Sequence, residues 1–166
     1  YIVGDSGTCY VGNDYFTDVI CRFSLRESIE ERFVKTIDYV AEDVSHTKDE
    51  KFQKIYDNHI QNKALKYRLI KPLTILITKD ISACKRLTED LTDFLAEKEN
   101  ISKDAAASKI LIVTSANEHK NNITKLKDVD DKNNTTEWIT SVSMLSEGWD
   151  VQNVCQIVPH EERAFN

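Results

Sequence analysis

From Pro72 onward the chain carries four short apolar runs: "LTILIT" (73–78), "KILIVTS" (109–115), "WITSVSML" (138–145) and "VCQIVP" (154–159). Runs that are apolar throughout and rich in β-branched residues suit strands buried on both faces. Such strands belong to parallel sheets covered by helices. Between the first two lies "ISACKRLTEDLTDFLAEK", where Cys84, Leu87, Leu91, Phe94 and Leu95 fall on one helical face. Between the second and third, a polar helix or loop carrying Ile123, Leu126 and Val129 runs into the linker-like "DDKNNTTE". Strand, helix, strand, helix, strand predicts a doubly wound α/β layer with right-handed crossovers.

Upstream of Pro72 the pattern differs. "CYVGNDYFTDVICRFS" mixes turn residues with β-formers and predicts a hairpin or a pair of short strands. Ser24 and Glu27 have capping-box spacing ahead of a short helix carrying Leu25, Ile29 and Phe33, and a strand is expected near Thr36 to Val40. From Lys48 to about Leu69, the spacing of Phe52, Ile55, Tyr56, Ile60, Ala64 and Tyr67 predicts an amphipathic helix. The chain therefore divides into an appendage over 1–47 and an α/β domain over 48–166.

At 166 residues the chain is long enough for a core of its own, and it has no run of about 18 apolar residues to span a membrane. Its first residues, "YIVGDSGTCY", lack the basic start and apolar centre of a secretory signal. The chain also begins without Met, which suggests a piece of something longer. Cys9, Cys21, Cys84 and Cys155 form no C-x-x-C pair, and Cys84 and Cys155 sit inside apolar patterns, so reduced, buried thiols in a cytoplasmic protein are expected. His46, His59, His119 and His160 show no metal-ligand spacing, and no metal is expected.

A net charge of −6 argues against a stand-alone nucleic-acid binder. The charge is uneven, however. Lys51, Lys54, Lys63, Lys66, Arg68, Lys71 and Lys79 face a single acid, Asp57, over 51–79. This run reads either as a solvated helix face or as a stripe facing phosphates.

In doubly wound sheets ligands sit beyond the carboxyl ends of the strands. Here those ends carry Thr78, Lys79 and Asp80, then Thr114 and Ser115, then Ser141 and Ser143 leading toward Gly148 and Asp150. Hydroxyls and the N–H groups of helix starts suit phosphate oxygens, although Ser and Thr also cap helices. Gly148 is notable because the other glycines, Gly4, Gly7 and Gly12, all lie in the first dozen residues. A lone glycine at a strand end suits a close approach of ligand to backbone.

Two motifs fail. "GDSGT" at 4–8 lacks the upstream His and Asp that a trypsin-like nucleophile needs. No G-x-x-x-x-G-K-[ST] loop or acidic box is present to hold a triphosphate and magnesium. "SMLSEGWDVQNVCQIV", by contrast, resembles motif V of superfamily-two helicases through Ser143, Leu145, Glu147, Gly148, Asp150, Val151 and Val154. "PLTILITKD" is similar to motif IV, which opens the second RecA-like domain. "SLRESIEERFVKTIDYV" together with "WITSVSMLSEGWDVQNVCQIVPHEERAFN" resembles the restriction (Res) subunit of type III restriction-modification systems, and this likeness covers nearly the whole chain.

The resemblance implies a RecA-like, P-loop NTPase-like three-layer domain over 48–166, truncated before motif VI. Residues 1–47 would link it from the first motor domain. It implies ATP as ligand, with Mg in the parent, held where Gly148 lets backbone approach the nucleotide and Asp150 accepts from its ribose. It implies DNA backbone contacts from Ser143, Ser141, Thr78, Lys79, Thr114 and Ser115. The implied partners are DNA, the first RecA-like domain of the same parent and the modification (methyltransferase) subunit. Without motif VI, the phosphate loop or a recognisable nuclease cluster, no catalytic residue is assigned, and the isolated chain is expected to hydrolyse no ATP and cut no DNA. The competing expectation is a non-enzymatic α/β binding module that docks a protein partner.

Overall fold

The computed structural model describes residues 10–11, 14–15, 23–36, 38, 47–66, 71–142, 151 and 153–160. The chain forms two compact units, Tyr1–Glu42 and Asp43–Asn166. In the first, β1 (Tyr10–Val11) pairs antiparallel with β2 (Asp14–Tyr15), Tyr10 opposite Tyr15, in keeping with the expected hairpin. The Ser24–Glu27 capping box forms at α1 (Leu25–Glu30): Glu27 N–H donates to Ser24 Oγ at 3.2 Å and Ser24 N–H to Glu27 Oε2 at 2.7 Å. The helix is shorter than expected. Arg32 takes a left-handed φ of 66°, and Phe33 lies past the helix, edge-on to Phe23 at 5.9 Å. Thr36 and Asp38 are not in a strand, and Ile37, Tyr39 and Val40 lie outside the described residues.

The second unit opens with α2 (Lys48–Gln61), capped by Thr47, and the helix widens into a π turn over Asn62–Lys66. Its buried stripe is Phe52, Ile55 and His59, not the expected stripe through Ile60 and Ala64, which are exposed. Helix geometry explains the difference: at about 100° per residue, His59 lies about 20° from Phe52 around the axis and Ile60 about 80°. Tyr67 lies outside the described residues.

The expected parallel layer then follows. β3 (Leu73–Thr78), β4 (Ile110–Val113), β5 (Trp138–Val142) and β6 (Val154–Pro159) form one all-parallel sheet in the order β4-β5-β3-β6. α3 (Ile81–Glu99) is capped by Asp80, whose Oδ1 accepts from Ala83 N–H at 2.7 Å, and it ends at Asn100 with a left-handed φ of 53°. Ala83, Cys84, Leu87, Leu91 and Leu95 form its buried stripe, as the spacing predicts. A short helix absent from the sequence reading, α4 (Lys103–Ser108), follows, with Ser102 as its cap and Ala106 buried. α5 (Lys120–Lys125) lies between two 3-10 turns, Asn117–His119 and Leu126–Asp128, before β5.

Side-chain alternation along the strands divides the core in two. Leu76 and Trp138 pack with Phe52, Ile55, Leu87, Leu91, Leu95 and Ala106 from α2, α3 and α4. Leu73, Ile75, Leu111, Val113 and Ile139 pack on the opposite face with Leu126 and Val129. The chain crosses from β3 to β4 over one face and returns to β5 over the other, as crossovers of one hand require. The edge strands are blunted differently. Lys109 C=O bonds toward β5, so carbonyl alternation turns Ile112 C=O outward, and Asn122 Nδ2 donates to it at 2.8 Å. β6 ends in Pro159, which has no N–H to offer.

Leu91→Ala should destabilise the fold by about 2–5 kcal/mol, because the side chain is 1% exposed beneath the sheet. Asp80→Ala, which removes a cap, should cost about 1 kcal/mol. Urea denaturation that found the exposed Ile123→Ala as costly as Leu91→Ala would contradict this layering.

Candidate functional site

Parallel pairing brings the carboxyl ends of the four strands to one rim. Thr78 is opposite Val142, Ile77 is opposite both Ser141 and Pro159, and Val113 is opposite Ser141. Thr114, Thr78, Ser141 and His160 therefore stand side by side at this rim. Three of the hydroxyls expected to face a ligand, those of Thr78, Thr114 and Ser141, are turned inward. Thr78, 2% exposed, has its Oγ1 within 3.1 Å of Asp80 O and 3.4 Å of Ser141 O. Thr114, fully buried, accepts from Ala116 N–H at 3.2 Å and shares a hydrogen bond of 2.6 Å with His119 Nδ1. Ser141 Oγ donates to Val142 O at 2.9 Å. Lys79 and Ser115 are exposed at the rim, and the Lys85–Glu118 ion pair at 2.5 Å joins α3 to the turn after β4. Ser143, Gly148 and Asp150 lie outside the described residues.

Cys84 sits below the rim. Burial raises its thiol pKa, and hydrogen bonding to Thr140 and Thr78 offsets this in part, leaving an unreactive thiol. Cys155 is half-buried and its Sγ donates to Asn153 O at 3.2 Å. Cys9 and Cys21 are outside the described residues. Among the described residues no group of three or more His, Cys, Asp or Glu is arranged to hold a metal, and no helix is long and apolar enough to cross a membrane.

The amino edge of the sheet carries a second polar cluster that the sequence reading passed over. His59 of α2 is 1% exposed. Its Nδ1 is 2.9 Å from Thr74 Oγ1, its Nε2 is 3.4 Å from Glu137 Oε2, and its ring lies 4.3 Å from the Trp138 indole. Thr74 Oγ1 also reaches Gln156 Oε1 at 3.2 Å, and Lys63 Nζ holds the other Glu137 oxygen at 2.6 Å. Burial would raise the Glu137 pKa, but His59, Lys63 and Lys109 outweigh burial and hold it at about 2. Lys109 is tied to Glu99 as well, and burial lowers the Lys71 pKa while Lys71 Nζ donates to Asn134 O at 2.6 Å. The signal that could have found this cluster is a histidine seven positions after Phe52, on the same helical stripe.

The basic run over 51–79 is thereby divided. Lys63 and Lys71 serve the amino edge, whereas Lys79 stands at the carboxyl rim, so the run forms no single stripe. Arg68 lies outside the described residues. An open groove of about 680 Å³ between α2 and α3 holds Asp49, Glu50, Asp90, Asp93 and Glu97 against Lys48 and Lys98, a lining that repels phosphate.

These features define an α/β protein with a four-stranded, all-parallel sheet, compatible with a Rossmann-like or RecA-like arrangement. Comparisons with known protein families, with curated proteins and with solved structures find no match.

Glu137 is held below its ordinary value, so its network adds stability that is present above the usual carboxylate range and lost as pH falls from 4.5 toward 2. Glu137→Gln should cost about 1–3 kcal/mol at neutral pH and flatten that acid limb; an unchanged limb in acid titrations of stability would refute the network's role. In native protein, alkylation mapped by mass spectrometry should leave Cys84 unmodified while Cys155 reacts, with both reacting in urea.

Proposed function

We propose that the chain is part of the second RecA-like domain of an ATP-dependent DNA motor of the type III restriction Res kind, forming one wall of its ATP and DNA clefts. The observation that best supports this reading is the all-parallel sheet whose β5 delivers the chain to the carboxyl rim at Val142, directly ahead of the motif V-like stretch. That rim is where doubly wound sheets take ligands. Gly148 and Asp150 would hold the nucleotide there, and ATP would supply the phosphoryl-transfer energy that moves two such domains. Lys79 and Ser115, open to solvent, are the residues suited to touch a DNA backbone. Thr78, Thr114 and Ser141 would serve by fixing the rim's shape, since their hydroxyls are already bonded within the protein.

A second reading, a binding module for a protein partner, is favoured by those same internal hydrogen bonds and by the acid-lined groove. Salt dependence separates the two. Under the motor reading, duplex affinity falls steeply with salt, and Lys79→Ala weakens it uniformly across sequences while reducing the log–log slope by about 1. In a reconstitution with a first motor domain and an extension through motif VI, Asp150→Ala should raise the KM for ATP. A well-folded reconstitution with no DNA-stimulated ATPase would overturn the motor reading.

A further inference from the structure

The layers that cover the two faces of the sheet carry opposite surplus charge on their outer sides. Between α2 and α3 the open groove of about 680 Å³ is floored by Phe52 and Phe94, whose ring centroids are 5.5 Å apart. Its walls hold Asp49, Glu50, Asp90, Asp93 and Glu97 against Lys48 and Lys98. Lys48 pairs with Asp90, and Lys103 of α4 pairs with Asp93 at 2.6 Å. Asp49 and Glu97 enter no ion pair among the described residues, so the walls keep unmatched negative charge.

On the opposite face α5 and the 3-10 turn after it close over the sheet through Leu126 and Val129. Their outer side is basic. Lys120, Lys125 and Lys127 are exposed and enter no ion pair among the described residues, and Asp128 is the single acid from Lys120 to Val129. Ile123 is 46% exposed in the middle of them. Lys120 lies three positions before it and Lys127 four after it, the spacing that makes side chains neighbours on a helix surface.

An apolar side chain flanked by unpaired lysines complements an aromatic floor walled by unpaired carboxylates. We propose that the α2–α3 groove receives α5 of a second copy of this chain, with Ile123 on the Phe52–Phe94 floor and Lys120 and Lys127 toward Asp49 and Glu97. The groove and α5 lie on opposite faces of the sheet, so the contact is head-to-tail rather than two-fold. Each copy uses its groove and its α5 at once, and copies add in a row beyond the dimer. One short helix covers well under the ~800 Å² per partner of a standard interface, so the association is weak and rises with concentration. The net charge of −6 opposes any contact between copies that lacks such pairing. The carboxyl rim takes no part, so a row of copies leaves Lys79 and Ser115 open.

In sedimentation velocity, the weight-average coefficient of the whole chain should rise with concentration at about 20 mM salt and return to the monomer value at about 1 M, where the Debye length is ~3 Å. Glu97→Lys, which spoils the groove, and Ile123→Asp, which spoils the helix, should each stay monomeric with unchanged circular dichroism, since both positions are exposed. Glu97→Lys lowers the net negative charge, so general repulsion cannot explain its loss of association. An equimolar mixture of the two variants should form dimers and nothing larger, because the intact α5 of one fits the intact groove of the other. The pairing is overturned by a monomer at every concentration in low salt, by association that persists in either variant, or by a mixture that stays monomeric. A monomeric result leaves the salt dependence of duplex binding, which separates the two functional readings, as it was.

Discussion

A parallel sheet cannot leave one face in water, and the second unit is organised around meeting that requirement on both faces. Leu76 and Trp138 look one way, Leu73, Ile75 and Ile139 the other, and each set is covered by residues from the intervening crossovers. Full burial of a large apolar side chain is worth about 1.5–3 kcal/mol, against about 0.5–1.5 kcal/mol net for a hydrogen bond. Packing therefore decides where α3 and the turns around α5 lie, and the polar groups on the same strands must find partners within that arrangement. Thr140 does so through Thr88 of α3 at 2.7 Å, and Thr74 through His59.

The two ends of the sheet meet this demand in different ways. At the carboxyl rim, buried hydroxyls are satisfied locally by the backbone or by a neighbouring ring, which leaves a neutral lip with Lys79 and Ser115 outside it. At the amino edge the bonds link α2 to the three strands or strand approaches that carry Thr74, Gln156 and Glu137, with Lys63 and Lys109 supplying charge. A half-buried carboxylate without those cations would be disfavoured; with them it helps hold α2 in place. α2 is in this way tied to the sheet by the His59–Thr74 bond, with the Lys63–Glu137 ion pair just beyond it, at one end and by the Phe52–His160 stack at the other.

Much of the candidate rim was legible in the sequence, because strand ends can be counted from apolar runs, and Thr78, Thr114 and Ser141 do lie at one edge in register. Their orientation was not legible. Whether a strand-end hydroxyl faces solvent or the backbone depends on turn geometry, as at Thr114, whose partners are Ala116 N–H in the turn and the later His119 ring. The division of the basic run was illegible for a related reason: neighbours in sequence are sent to opposite ends of the sheet by the π turn and by β3. α4 escaped notice because six residues of Lys, Asp, Ala and Ser carry almost no periodic signal.

By itself the sequence determined that this is an α/β chain with buried parallel strands, where α3 begins and which of its residues face the core. Each of those properties depends on local spacing: a capping aspartate, an apolar stripe, a β-branched run. Tertiary structure alone decided the strand order β4-β5-β3-β6, the inward turn of the rim hydroxyls, and the meeting of His59 with Thr74, Gln156 and Glu137. The contacts of the His59 cluster join residues 15 to 82 positions apart along the chain, and long-range pairing is set by how layers close over one another rather than by any periodicity a linear pattern can carry.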